Sequence, residues 1–287
     1  MPMQGPDARA NQLQDDEELE KPRGQPPGFF SRRRILGPVE KDYGDYGLLA
    51  CSLVTGMVDG ASFLNWGVFV GMQTGNTVIL GLSTAGLPAM PHAWLATLVS
   101  ILAFLLGAMA TFHVSKFLTP NGVTSNRLWT CSLFALQGLF ILVAAAIATP
   151  QNIIPQNPAG TTTSTPEPEW VKHDIRIVSL LPLLGWQAGM QIAASRLLGY
   201  NELPVNVVTS TYCDLMGDFK LLATNNVKRN RRAASVILLF IGSVVSAWLM
   251  RSRGGLESVL WVAGAVKVLA GLGLFALIPP LKEKELP

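Results

Sequence analysis

Asp59 and Lys267 are ionisable side chains set in long apolar surroundings, where each is costly. A carboxylate near the middle of an apolar span costs several kcal/mol on insertion scales unless it pairs, protonates or faces water. Lys267 is the nearest cation by composition, and it stands too far from either end of the last apolar stretch to snorkel out easily. An Asp59–Lys267 ion pair would be a structural lock. An Asp59 that exchanges protons with water would instead couple solute movement to a proton gradient. Both readings stay open at this point.

A second candidate is Thr74-Gly75-Asn76, where glycine permits a break in a helix. The neighbouring hydroxyl and amide can then satisfy freed backbone groups or bind a solute. Thr209-Ser210-Thr211 is a similar polar cluster later in the chain. Hydrogen bonding between helices is the bland alternative for both. Asp214 and Asp218 share a helical face, with Lys220 close behind, but they approach the basic run Lys228 to Arg232. A solvated end of a span explains them better than a metal. Gln187 and Gln191 share a face at the same spacing and either line a cavity or bridge helices. His113, beside Lys116, reads as an interfacial residue.

These residues sit in eight apolar segments: 46–65, 67–87, 93–117, 128–149, 175–198, 203–224, 234–250 and 257–278. Six are convincing spans. The second is interrupted by Gln73, Thr74 and Asn76, and the sixth by Asn206, Asp214, Asp218 and Lys220. The expectation is an all-α, polytopic transmembrane bundle of about six spans, six to eight in range, in two related halves. The divisions are a polar tail (1–43), a first membrane half (44–150), a Pro/Thr-rich linker (151–174), a second half (175–279) and a short tail (280–287).

Evidence for two halves lies in a weak internal match. Gly56-Met57 lies over Gly189-Met190, with Ala61 on Ala194 and Ser62 on Ser195; after a two-residue slip Thr74 meets Thr209. Small residues recur every fourth position, Ser52, Gly56 and Gly60 against Gly185, Gly189 and Ala193. Such a stripe lets helix backbones approach closely, or lines a narrow passage. Three crossings per half would invert the second half and put 151–174 outside; four would keep the halves in one sense and put it inside. Either count leaves both chain ends on one side, and the basic residues Arg32, Arg33, Arg34, Lys228, Arg229, Arg231 and Arg232 make that side cytoplasmic.

The composition agrees, with 49% hydrophobic and 14% charged residues, too apolar for disorder and unusual for a soluble domain. A net charge of +3 with its basic residues beside spans gives no case for nucleic acid. Cys51, Cys131 and Cys213 lie in apolar segments without CxxC spacing, so neither disulfides nor zinc are expected. No phosphate loop, HExxH, GxSxG or dinucleotide turn occurs in a suitable setting, so no cofactor or metal is expected and an enzyme is the less favoured reading, a membrane-embedded hydrolase or transferase using Asp59, Asn76 and Asp214 staying open. Trp66, Trp94, Trp129, Trp170, Trp248 and Trp261 mostly fall near span ends, as an aromatic belt requires.

The run Gly56-Met-Val-Asp59, Phe63, Phe69 and Met72-Gln-Thr74-Gly75-Asn76-Thr-Val-Ile-Leu80-Gly81 resembles the YoaK-like membrane family, domain of unknown function 1275. The resemblance continues through Gly189-Met-Gln191, Ala193, Ala194, Arg196, Thr209 and Asp214-Leu215, and covers roughly 46–278. Ile192 and Ser210 depart from it, standing where many members carry Asn and Gly. It implies about six spans and no established substrate.

The expected function is a small-solute transporter or permease, with Asp59, Thr74, Gly75, Asn76, Gln191, Thr209 and Asp214 around a polar cavity and the lipid bilayer, a solute or a proton as partners. The alternative is a membrane scaffold whose polar residues lock helices and whose tail recruits a soluble protein. Deleting residues 1–41 would spare a carrier and disable a scaffold. The plasma membrane is the default location.

Overall fold

A computed structural model of the chain describes residues 35–38, 43–87, 92–149 and 175–277. The expected 151–174 linker, the 280–287 tail, most of the 1–43 tail and Trp170 lie outside the described residues. The bundle belongs to the unit Leu36–Pro287.

The described residues form no strand and eight α-helices: α1 (Gly44–Trp66), α2 (Gln73–Ser83), α3 (Ala93–Leu118), α4 (Arg127–Ala148), α5 (Leu181–Leu197), α6 (Val208–Met216), α7 (Val227–Met250) and α8 (Gly255–Leu277). Local chemistry sets several ends. Asn126 and Asn226 cap α4 and α7 by accepting from the N–H groups of Trp129 and Arg229 at 3.2 and 3.1 Å. Gly67 adopts φ 64° and returns its N–H to the Phe63 carbonyl, which stops α1. A proline in the first turn of α5 suits that position, because its missing N–H has no helical partner there.

Five helices, α1, α3, α4, α7 and α8, are long and apolar enough to cross a membrane. α5 has 17 residues and is prolonged at its start by a 3₁₀ stretch, Ile175–Leu180. The possibility of eight crossings is corrected here. α2 and α6 have 11 and 9 residues, rising roughly 16 and 14 Å, about half of a hydrocarbon core of roughly 30 Å. Each follows a non-helical segment, 67–72 before α2 and 198–207 before α6.

Polar contacts show which ends meet. Arg231 of α7 pairs with Asp45 of α1 at 3.0 Å and with Glu202, after α5, at 3.2 Å. Arg127 at the start of α4 donates to the Gly37 carbonyl at 3.0 Å and to Phe275, near the end of α8, at 3.3 Å. Trp129 reaches back to Ser115, late in α3. At the opposite end Asn65 meets the Met250 sulfur and Trp261 donates to Thr149. Helices α1, α4 and α7 therefore run one way and α3, α5 and α8 the other. α2 sits at the second end and α6 at the first.

α1 packs along α7, α3 along α5, and α4 along α8. Glycines make these approaches possible. A Cβ on Gly56 would overlap the Leu239 carbonyl, and one on Gly242 the Leu53 carbonyl. One on Gly189 would overlap the Phe104 carbonyl, and one on Gly107 the Trp186 carbonyl. Ser52 bonds Ser235 at 2.8 Å, a Cβ on Gly185 would come 3.0 Å from the Ser100 carbonyl, one on Gly60 would touch Ser246, and Ala193 is fully buried. The stripe lies in helix-to-helix seams, where van der Waals contact replaces the hydrophobic effect that is missing between helices in lipid. The outward faces of α3 and α7 carry Leu102, Leu105, Met109, Phe112, Ile237, Phe240 and Ile241, exposed side chains suited to acyl chains.

Candidate functional site

Asp59 lies on the inner face of α1, 2% exposed. Its Oδ1 accepts hydrogen bonds from the backbone N–H groups of Val70 and Gly71, both at 2.8 Å. The carboxylate thus satisfies backbone that the non-helical segment 67–72 leaves unpaired, which lets such a segment exist in an apolar bundle. Its Oδ2 is buried and has no hydrogen-bond partner among the described residues. That oxygen faces Gly71: a Cβ there would stand 2.9 Å from Oδ2, 3.4 Å from the Thr55 methyl and 3.6 Å from the Asn206 side chain.

Asn206 belongs to the other non-helical segment, so the two segments meet beside Asp59. Its Nδ2 donates to the Ala188 carbonyl at 3.0 Å, and its Oδ1 accepts from Gln191 Nε2. Gln191 Nε2 also donates to Thr55 Oγ1 at 2.6 Å. Just before Asn206, Val205 holds φ 47° and the Asn206 N–H turns back to the Pro204 carbonyl. That is a tight γ-turn of the strained hand on a β-branched residue, which persists only when its surroundings enforce it.

Lys267 of α8 is fully buried, and its ammonium donates to the side-chain carbonyls of Gln137 at 2.9 Å, Gln187 at 2.6 Å and Gln191. The expected Asp59–Lys267 ion pair is therefore corrected. Three carboxamides from α4 and α5 use the three N–H bonds of the ammonium, and Gln191 stands between the two charged groups. They share one polar chain, Asp59 beside Asn206 and Thr55, then Gln191, then Lys267, without touching.

The other expected residues divide. Asn76 is fully buried and grips Phe69 on both sides, its Oδ1 accepting from the Phe69 N–H at 2.9 Å and its Nδ2 donating to the Phe69 carbonyl. The same Nδ2 reaches Gln73 and Ser100 at 2.8 and 3.2 Å. Its capacity is spent on holding the segment. Gly75 packs on the Phe69 ring. Thr74 and Thr209 are exposed on the two short helices, away from the polar chain. Asp214 is exposed at the first end and lies 3.5 Å from Arg232. Asp218, in the turn after α6, has its carboxyl held below the usual range by the Lys220 backbone N–H and then by the Asn226 side chain, a turn-stabilising role.

Thr55, Gln137 and Asn206 were missed as site residues. Thr55 lies one turn before Asp59 on the same face, and Gln137 is an isolated amide in an apolar helix, so each carried a signal. Replacing Asn76 by Leu strands the Phe69 N–H, and we expect a loss of roughly 1–3 kcal/mol, read as a lowered melting temperature in detergent. Thr74→Ala should melt like the parent; equal melting for both variants would contradict the clamp.

A family model described as "Protein of unknown function (DUF1275)" matches residues 47–273. No curated protein and no solved structure matches the chain.

Proposed function

Since the chain belongs to the family described as a protein of unknown function (DUF1275), over a match that includes the whole polar chain from Thr55 to Lys267, we propose that it is a small-solute carrier built from two related halves of opposite orientation. The observation that carries this reading is the meeting of the two non-helical segments, entering from opposite ends, at Gly71 and Asn206 beside Asp59. Interrupted helices that meet at mid-depth are where carriers hold solutes, because backbone freed from helical bonding can bind there.

The packing pattern supports the relation between halves. Exchanging first-half helices for their second-half counterparts turns the α1–α7 contact into the α5–α3 contact and leaves α4–α8 unchanged. The close approaches follow the same exchange, Gly56 with Gly242 answering Gly189 with Gly107. The end bearing Lys116, Arg127, Arg196, Lys228, Arg229, Arg231 and Arg232 is richer in basic residues, which supports a cytoplasmic assignment for it and for both chain ends.

The test is uptake into vesicles carrying the purified protein, with sidedness measured in parallel. We expect a glycosylation acceptor placed in 151–174 to be modified, and uptake of a small polar solute to be lost in Gln191→Leu while the protein stays folded. An unmodified acceptor together with no uptake across a solute panel would sink the carrier reading and favour the scaffold.

A further inference from the structure

Asp59 does two things with two oxygens. Oδ1 holds the first non-helical segment through Val70 and Gly71, and Oδ2 is buried, unpartnered and turned toward the contact between the two segments. Among the described residues the titratable groups on the helices packed around it are few: α7 carries none between Arg232 and Arg251, α8 carries Lys267, held by Gln137, Gln187 and Gln191, and α1 itself carries Cys51, which reaches Gln137. The segment around Asn206 brings its amide.

We propose that Asp59 Oδ2 is the binding site of a coupling proton, and that filling it loosens the first non-helical segment from α1. A proton from bulk water bonds to Oδ2, a hydronium becoming water, and the carboxylate becomes a neutral carboxylic acid. The Val70 and Gly71 N–H groups then donate to a neutral oxygen and lose the charge-assisted part of their bonds. Gly71, which abuts Asn206, becomes free to part from the other half. Release of the proton on the opposite side restores the carboxylate and the grip.

A metal ion fits this place poorly. Hard cations take about six oxygen ligands. Here Asn206 Oδ1 already accepts from Gln191, with the Thr55 hydroxyl at 3.3 Å, the Thr55 hydroxyl accepts from Gln191, and Asp59 Oδ1 is held by two N–H groups. Oδ2 is the free oxygen of the cluster. A proton needs one.

The proposal rests on the carrier reading for its role in transport but not for its detection. Hydrogen exchange of the segment 67–72 is followed on the full chain in lipid nanodiscs between about pH 8 and about pH 5, with intrinsic rates divided out. Protection should fall about tenfold on acidification, the difference between a charge-assisted and a neutral hydrogen bond. Asp59→Asn should show the low-pH behaviour at every pH. Infrared spectra of the parent protein guard against a misfolded variant, because acidification should produce a buried carboxylic acid band that moves in Asp59→Glu. Protection that ignores pH in the parent, pH dependence that survives in Asp59→Asn, or a response to sodium at constant pH would each overturn the proposal. Exchange that responds to pH without any solute uptake would sink the carrier reading alone.

Discussion

Gly56→Val and Gly189→Val should each abolish recovery of folded protein from detergent extracts, or lower its stability by about 3 kcal/mol or more. The added atoms would land on the carbonyls of Leu239 and Phe104. Those are backbone atoms of a neighbouring helix, so no rotamer change can clear them, and the helices must separate along the whole seam. Separation forfeits the close van der Waals contact that holds membrane helices together. Gly81→Ala and Gly273→Ala are the controls, since a Cβ at either place meets nothing within 4 Å. Size-exclusion profiles and melting curves decide the matter. Parent-like melting of both valine variants would show that the helices do not approach as described.

Lys267→Met should be the most damaging change in the polar core. It leaves the carbonyls of Gln187 and Gln191 without their donor in a buried place, and that of Gln137 with the weak Cys51 thiol. Each stranded group costs roughly 1–3 kcal/mol, so a combined loss of several kcal/mol is expected. Replacing both sides of a buried polar contact by apolar groups is far less costly than removing one. Lys267→Met combined with Gln137→Leu and Gln187→Leu should therefore melt above Lys267→Met alone. A single variant as stable as the parent would mean that the ammonium is not caged by the three carboxamides.

Both changes act at residues that the chain itself singles out, yet for different reasons. The glycine stripe is visible because helical periodicity is local: residues four apart share a face whatever lies opposite. The partner of Lys267 is not local. Asp59 is the obvious counter-charge by composition, but Gln187 and Gln191 project from α5 and Gln137 from α4, and the packing of these helices delivers their carbonyls first. The two short helices show the same division. Polar residues marked segments 67–87 and 203–224 as weak, while the choice between broken and continuous helices depended on Asp59 reaching Val70 and Gly71, and on Gln191 reaching Asn206.

Asn76 illustrates how a residue type can be read correctly and its task mistaken. An amide beside a glycine in an apolar stretch signals a break at that place, yet Thr74-Gly75-Asn76 is regular helix within α2 and the non-helical segment is 67–72, just before it. The amide is consumed by the Phe69 backbone, so it builds the segment and is not left open to a solute.

The amino-acid sequence by itself determined that this chain is a membrane helix bundle, where five of its six expected spans lie as long helices (the segment 175–198 is a 17-residue helix after a 3₁₀ stretch), which faces carry small residues, and which few polar groups are buried in apolar surroundings. Each follows from composition and periodicity, which act over one or two turns and need no knowledge of neighbours. The tertiary structure alone decided which polar groups share hydrogen bonds, that the two non-helical segments meet beside Asp59, and that Lys267 is held by amides. A buried donor takes whichever acceptor the packed helices bring within about 3 Å, and that proximity joins residues more than a hundred positions apart, as Gln137 and Lys267 are.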